Sequence, residues 1–165
     1  MADDPWEKAL NAFEYAYWRG IPKLLNNDGF VLAFICCLAA TEALAGYRYP
    51  SVSGNGDRFR RFICEYFPSH WSKSSPDLWQ FRNGLIHGFT VGPRFKIGHV
   101  MPEAHFCVDA EDGKTILTAE EFFREVREAA WKYFHELEAN PEVQAAFWQR
   151  IRTHDDDAMF FTPFS

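Results

Sequence analysis

Surplus positive charge is the first thing this chain lacks. Its 165 residues carry 17 Lys and Arg against 23 Asp and Glu, a formal net charge of −6. That balance argues against a protein that coats nucleic acid through a general basic surface, but leaves room for a local basic cleft around one phosphate. Cysteine chemistry is thin as well. Cys36, Cys37, Cys64 and Cys107 form no C-x-x-C pair, so neither a zinc site nor a disulfide framework is indicated, and all four are expected as reduced, buried thiols of a cytoplasmic protein. The longest apolar run, Phe30 to Ala40, falls short of the roughly 20 residues that span a bilayer, so no membrane partner is expected. Ala2-Asp3-Asp4 lacks the basic opening of a signal peptide. No internal repeat, low-complexity segment, phosphate-binding glycine loop, nucleophile elbow or dinucleotide fingerprint is visible. His99 and His105 have no third ligand at a zinc-like spacing, and His70, His135 and His154 stand alone in sequence. All five read as non-ligands, so neither a metal nor another cofactor is expected.

What the chain has in abundance is aromatic carbon: 18% aromatic residues, with 17 Phe and 6 Trp, inside a hydrophobic content of 47%. A wide aromatic core explains this, and so does a ring-rich subunit interface. The length suits one domain able to bury a core without staples.

Helical signals dominate. Asp4-Pro5-Trp6-Glu7 reads as a capping box, followed by Trp6, Leu10, Phe13 and Tyr17 at helical spacing to a stop near Gly20. Asn27 or Asp28 can cap a second helix to about Gly46, apolar all round and therefore central. Near its end Glu42 is either exposed as the helix emerges or turned inward to hold an arginine. Asp57 can cap a third helix, Arg58 to Phe67, whose Arg58, Arg60 and Arg61 form either a solvated face or a phosphate-guiding rim. Ser75-Pro76-Asp77 looks like the start of a fourth helix, ending at Gly88. Alternation over Phe95, Ile97, His99 and Met101, and the Asp112-Gly113 turn signal between 105–109 and 114–117, predict a small antiparallel hairpin or three-stranded meander at about 94–117. Thr118-Ala119-Glu120-Glu121 reads as a capping box for a helix to about Leu137, and Asn140-Pro141 starts a last helix to about Arg152. The expectation is a mainly α bundle of about five to six helices, a single domain over 1–153. The tail 154–165 is either frayed or docks Phe160, Phe161 and Phe164 on a partner subunit.

The fourth helix carries Phe81-Arg82-Asn83-Gly84-Leu85-Ile86-His87-Gly88. Residues five apart on a helix are rotated by about 140° and separated by about 7.5 Å of rise. Arg82 and His87 are therefore poorly placed to grip one phosphate alone, and a two-fold axis would bring two such pairs into one cleft. Gly84 permits a close approach, by a partner or by another part of the same chain. The bland alternative keeps Arg82 tied to an acid and His87 capping the helix.

An arginine followed by a polar residue, with a histidine five positions on, resembles the signature of the HEPN superfamily, here Arg82, Asn83 and His87. The element order over roughly 5 to 138 is also similar, although generic. The resemblance implies a small helical domain acting as a homodimer, with Glu42 as a supporting acid; beside it, the phosphate-guiding reading of Arg58, Arg60 and Arg61 would make them an RNA rim. It implies a metal-independent endoribonuclease that cleaves single-stranded RNA through the 2′-hydroxyl, in a toxin or antiviral defence role with an antitoxin or regulatory partner. Histidine suits proton transfer, with an unperturbed pKa near 6.5, and the arginine fork suits a phosphoryl group. Asn83 would orient substrate or hold the helix in register. The competing readings are a catalytically inactive HEPN-like interaction module and an ordinary helical protein in which Arg82 and His87 are structural.

Overall fold

The computed structural model describes residues 5–153; the Asp4 cap, His154 and the 154–165 tail lie outside the described residues. Helix α1 (Pro5–Phe13) runs into a π-helical turn (Glu14–Trp18). It is followed by α2 (Ile21–Leu25), α3 (Phe30–Arg48), α4 (Asn55–Tyr66) and α5 (Trp71–Gly88). Strand β1 (Phe95–Gly98), a 3-10 turn (Pro102–Ala104) and β2 (Thr115–Thr118) lead into α6 (Ala119–Ala139) and α7 (Pro141–Arg152). The architecture is mainly α with a very small sheet, as the periodicity predicted.

Much of the aromatic content packs inside. Phe34, Phe59, Phe62, Trp71, Phe81, Phe122, Tyr133 and Phe147 are fully buried. Phe34 meets Phe81 edge-on at 5.8 Å and Phe122 at 5.4 Å, which places α3 between α5 and α6. As one continuous helix, α3 is long and apolar enough to cross a membrane, unlike its Phe30–Ala40 run; half of the 18-residue window is buried in the bundle, where a core helix sits. Arg48 Nε donates to the Tyr66 hydroxyl at 2.7 Å, and that hydroxyl donates to Glu136, tying α3, α4 and α6 together.

The sheet departs from the expected hairpin or meander. β1 and β2 run parallel, from Phe95 opposite Thr115 to Gly98 opposite Thr118. Of the expected antiparallel ladder there remains an isolated bridge, Val108 with Thr115, behind the turn at Gly113 (φ +69°). Phe106 has a φ of +63°, a left-handed conformation that interrupts an extended strand. β2 pairs regularly with β1 along one edge, while the 106–109 arm keeps main-chain bonds along the other, Phe106 N–H to the Ile116 carbonyl, Ile116 N–H to the Cys107 carbonyl and Asp109 N–H to the Lys114 carbonyl, each at 2.8 Å.

Several caps also differ. α5 begins at Trp71, five residues before Pro76. Proline cannot donate to the carbonyl four residues back, and the Ser75 hydroxyl donates to that Ser72 carbonyl instead, at 3.2 Å. The serine that looked like a cap thus patches the gap its proline neighbour leaves. α3 starts after Gly29 and α4 after Gly54, neither with a side-chain cap. Asp57 falls inside α4 and pairs with Arg60. Thr118 precedes α6 but makes no side-chain bond to it, because its hydroxyl and backbone N–H both face His105 Nδ1, at 3.2 and 3.0 Å. Asn140 does cap α7, accepting from Glu142 N–H at 2.9 Å. All four cysteines are free thiols; Cys37 is buried, Cys36 half-buried, and Cys64 and Cys107 are exposed, contrary to the expectation of four buried thiols.

Candidate functional site

The end of α5 fixes the motif. Gly88 remains helical, and the left-handed residue that stops the helix is Phe89, at φ +52° and 91% exposed. Thr90 N–H donates back to the Gly84 carbonyl at 3.0 Å. This return explains Gly84: a Cβ there would lie 2.6 Å from the Thr90 carbonyl oxygen and 2.9 Å from its Oγ1. The close approach at Gly84 therefore comes from the same chain. Gly84→Ala is expected to lower stability despite the roughly 1 kcal/mol helix preference for alanine, since overpacking against a backbone carbonyl costs about 1–3 kcal/mol. The readout is a reduced urea midpoint at unchanged slope; a raised midpoint would show that the Thr90 turn yields freely.

Arg82 is the hub. Its NH2 pairs with Glu42 Oε2, and its NH1 donates to Asn83 Oδ1 at 3.0 Å and to His87 Nε2 at 3.2 Å. Arginine carries no acceptor, so His87 Nε2 accepts and holds no proton in this arrangement. The guanidinium also lies 5.2 Å from the Trp79 ring centroid. The ion pair is mostly buried, with Arg82 15% and Glu42 19% exposed, and Arg82 Nε is buried without a partner. His87 is exposed. Helical spacing alone put these two residues out of each other's reach; the long arginine side chain closes the gap, so their contact needs no second copy. Of the alternatives open for Glu42, the inward one is realised, and Asn55 Nδ2 donates to its other oxygen at 3.1 Å.

The basic residues of α4 divide. Arg58 joins the neighbourhood of Glu42: its Nε donates to the Val52 carbonyl at 2.7 Å, and it reaches Asn55 Oδ1 and the Pro50 carbonyl, each at 3.5 Å. Arg60 and Arg61 instead line a different hollow with Ser51, Ser53, Cys64 and Pro76, which includes none of Glu42, Arg82 or His87. Arg150 of α7 shares a hollow with Glu42, Asn55 and Arg58, and the sequence carried no local signal for it.

A second polar cluster was also not foreseen. Glu125, 2% exposed, accepts from Trp71 Nε1 at 2.6 Å and from His105 Nε2 at 3.4 Å, and pairs with His70 Nε2 at 3.2 Å. Because His105 Nδ1 accepts from the Thr118 N–H, its ring proton sits on Nε2, facing the carboxylate. Burial alone would raise the Glu125 carboxyl; the hydrogen bonds from His105 and Trp71 outweigh it, and the group lies below its ordinary value. The Thr118–His105–Glu125 chain has the order of a nucleophile, base and acid, but Thr118 is fully buried, so the cluster braces the fold rather than meeting a substrate.

Among the described residues, no group of three or more His, Cys, Asp or Glu is placed to hold a metal ion. The chain matches no family model, no curated protein and no solved structure.

Proposed function

We propose that this protein is a cytoplasmic, metal-independent endoribonuclease of HEPN type, acting as a homodimer on single-stranded RNA. The observation that carries this reading is the hydrogen bond from the Arg82 guanidinium to the exposed His87 imidazole, at 3.2 Å within one helix. An Arg82 N–H resting on Nε2 can turn to a phosphoryl oxygen, leaving Nε2 to take the 2′-hydroxyl proton. The 2′-oxygen then attacks phosphorus and the bond to the 5′-oxygen breaks. The departing 5′-oxygen takes a proton, leaving a 2′,3′-cyclic phosphate and a 5′-hydroxyl. One chain offers one imidazole at this site; a second copy of the motif supplies the acid, which is the chemical reason for a two-fold assembly. Glu42 and Asn83 position the guanidinium. A toxin or antiviral defence role, with an antitoxin or regulatory partner, belongs to the same proposal.

The Arg82–Glu42 pair favours a second reading, a non-catalytic HEPN-like interaction module, because a paired guanidinium has fewer N–H groups free for phosphate. Incubation with single-stranded RNA and its all-deoxy counterpart in excess chelator separates the two. Cleaved RNA with cyclic phosphate ends beside intact DNA is the expected result. RNA left whole, or cut only when divalent ions are restored, overturns the metal-independent nuclease. Light scattering reads the assembly, and a strict monomer that still cleaves would remove the homodimer.

A further inference from the structure

Between α3, α4 and α7 lies a hollow of about 260 Å³, lined by Ala39, Glu42, Ala43, Gly46, Asn55, Arg58 and Arg150. That is room for several waters. Two guanidinium groups border it. Arg150 lies across Gly46, with Nε and NH2 each 3.5 Å from where a Cβ would sit, which is ordinary contact distance against α3. Burial lowers the Arg150 pKa and the charge of Arg58 lowers it further, opposed by Tyr47. The carboxylate in the hollow cannot balance them, for Glu42 is engaged by Arg82 through one oxygen and by Asn55 through the other. Arg58 still has N–H groups beyond its bonds to Pro50, Val52 and Asn55. Among the described residues the Arg150 side chain makes no hydrogen bond or ion pair. Two like charges facing one polar space, one without an acceptor, are stabilised by an anion between them.

We infer that Arg58 and Arg150 form a phosphate-binding subsite, next to the Arg82–His87 pair and joined to it through Glu42. It rests on the ribonuclease reading only for the source of the phosphate, a neighbouring phosphodiester of the bound strand; a free nucleotide would present the same chemistry. A strand seated here would place one phosphate on Arg58 and Arg150 and the scissile one at Arg82.

The test uses the full chain and two probes that are not cleaved, a 2′-O-methyl single-stranded RNA and adenosine 5′-monophosphate. Arg150→Gln is expected to weaken RNA binding about tenfold, the loss of one charge-assisted contact. The slope of log affinity against log salt should also fall by about 0.7. Ala43→Glu, which keeps both arginines and adds a carboxylate at an exposed position of α3 that lines the hollow, should weaken binding similarly and serves if the first variant folds poorly. An effect on RNA alone assigns the subsite to the strand; tight nucleotide binding lost in both variants assigns it to a free phosphate. Unchanged affinity and salt slope for both probes in a folded variant overturns the subsite. Cleavage is a separate readout: an inactive protein that still loses phosphate binding with Arg150 retains the subsite and discards the nuclease.

Discussion

In His87→Ala, RNA cleavage is expected to fall about 100- to 10,000-fold, the usual contribution of a positioned acid or base, while the melting temperature hardly moves. His87 is exposed, and among the described residues its side chain accepts a hydrogen bond from Arg82. Surface substitutions of that kind stay within about 0.5 kcal/mol. Arg82→Ala should lose at least as much rate, but it is a less clean test. It strips a mostly buried Glu42 of its cation and Asn83 of its donor, so part of the loss would come from stability, at about 1–3 kcal/mol for a buried partner left unsatisfied. The measurement is initial cleavage rate beside thermal unfolding for both variants. Wild-type rates in a folded His87→Ala would remove the imidazole from the chemistry.

The second large effect lies in the buried cluster away from the motif. Glu125→Ala is expected to lower stability by several kcal/mol, about 1–3 kcal/mol for each of the two buried donors it leaves unsatisfied. That is a large fraction of the roughly 5–15 kcal/mol that holds a typical domain. The indole N–H of fully buried Trp71 would lose its acceptor, and His105 would lose the group facing its protonated nitrogen. The cluster also sets an acid limb. Glu125 titrates below its ordinary value in the folded chain, so its contribution is full above the unfolded carboxyl value of about 4.3. It is lost as pH falls through the lower folded value. Urea midpoints measured from neutral pH to about pH 3 should therefore decline in the wild type, and Glu125→Gln should lack part of that decline. Superimposable acid limbs would show that the carboxylate is not the titrating brace.

What was legible in the sequence follows from distance along the chain. Asn140-Pro141 announced α7 because a cap and its helix are neighbours. The Arg82, Asn83 and His87 contacts fall within one helix, and even the Glu42 pairing stood among the readings because α3 could be recognised as central. Ser75-Pro76-Asp77 misled for a local reason with a tertiary answer: a serine able to cap can equally mend the gap at an internal proline. The parallel pairing of β1 with β2 sets Phe95 opposite Thr115, two segments well apart in the chain, which no alternation pattern records. Trp71 and His105 reach Glu125 across 54 and 20 residues, and Arg150 comes to Arg58 from the far end of the chain. Each of those residues looked ordinary alone, and only the packing of helices around α3 gave them neighbours.

The closure of α5 carries an evolutionary consequence. The last turn is shut by main-chain atoms, Thr90 N–H on the Gly84 carbonyl, and the imidazole hangs from it as a pendant that the scaffold does not rely on. If the proposed cleavage runs through His87, one codon change at position 87 would silence it in a descendant that keeps its fold. Active and silent lineages of such a domain would then lie a single mutational step apart.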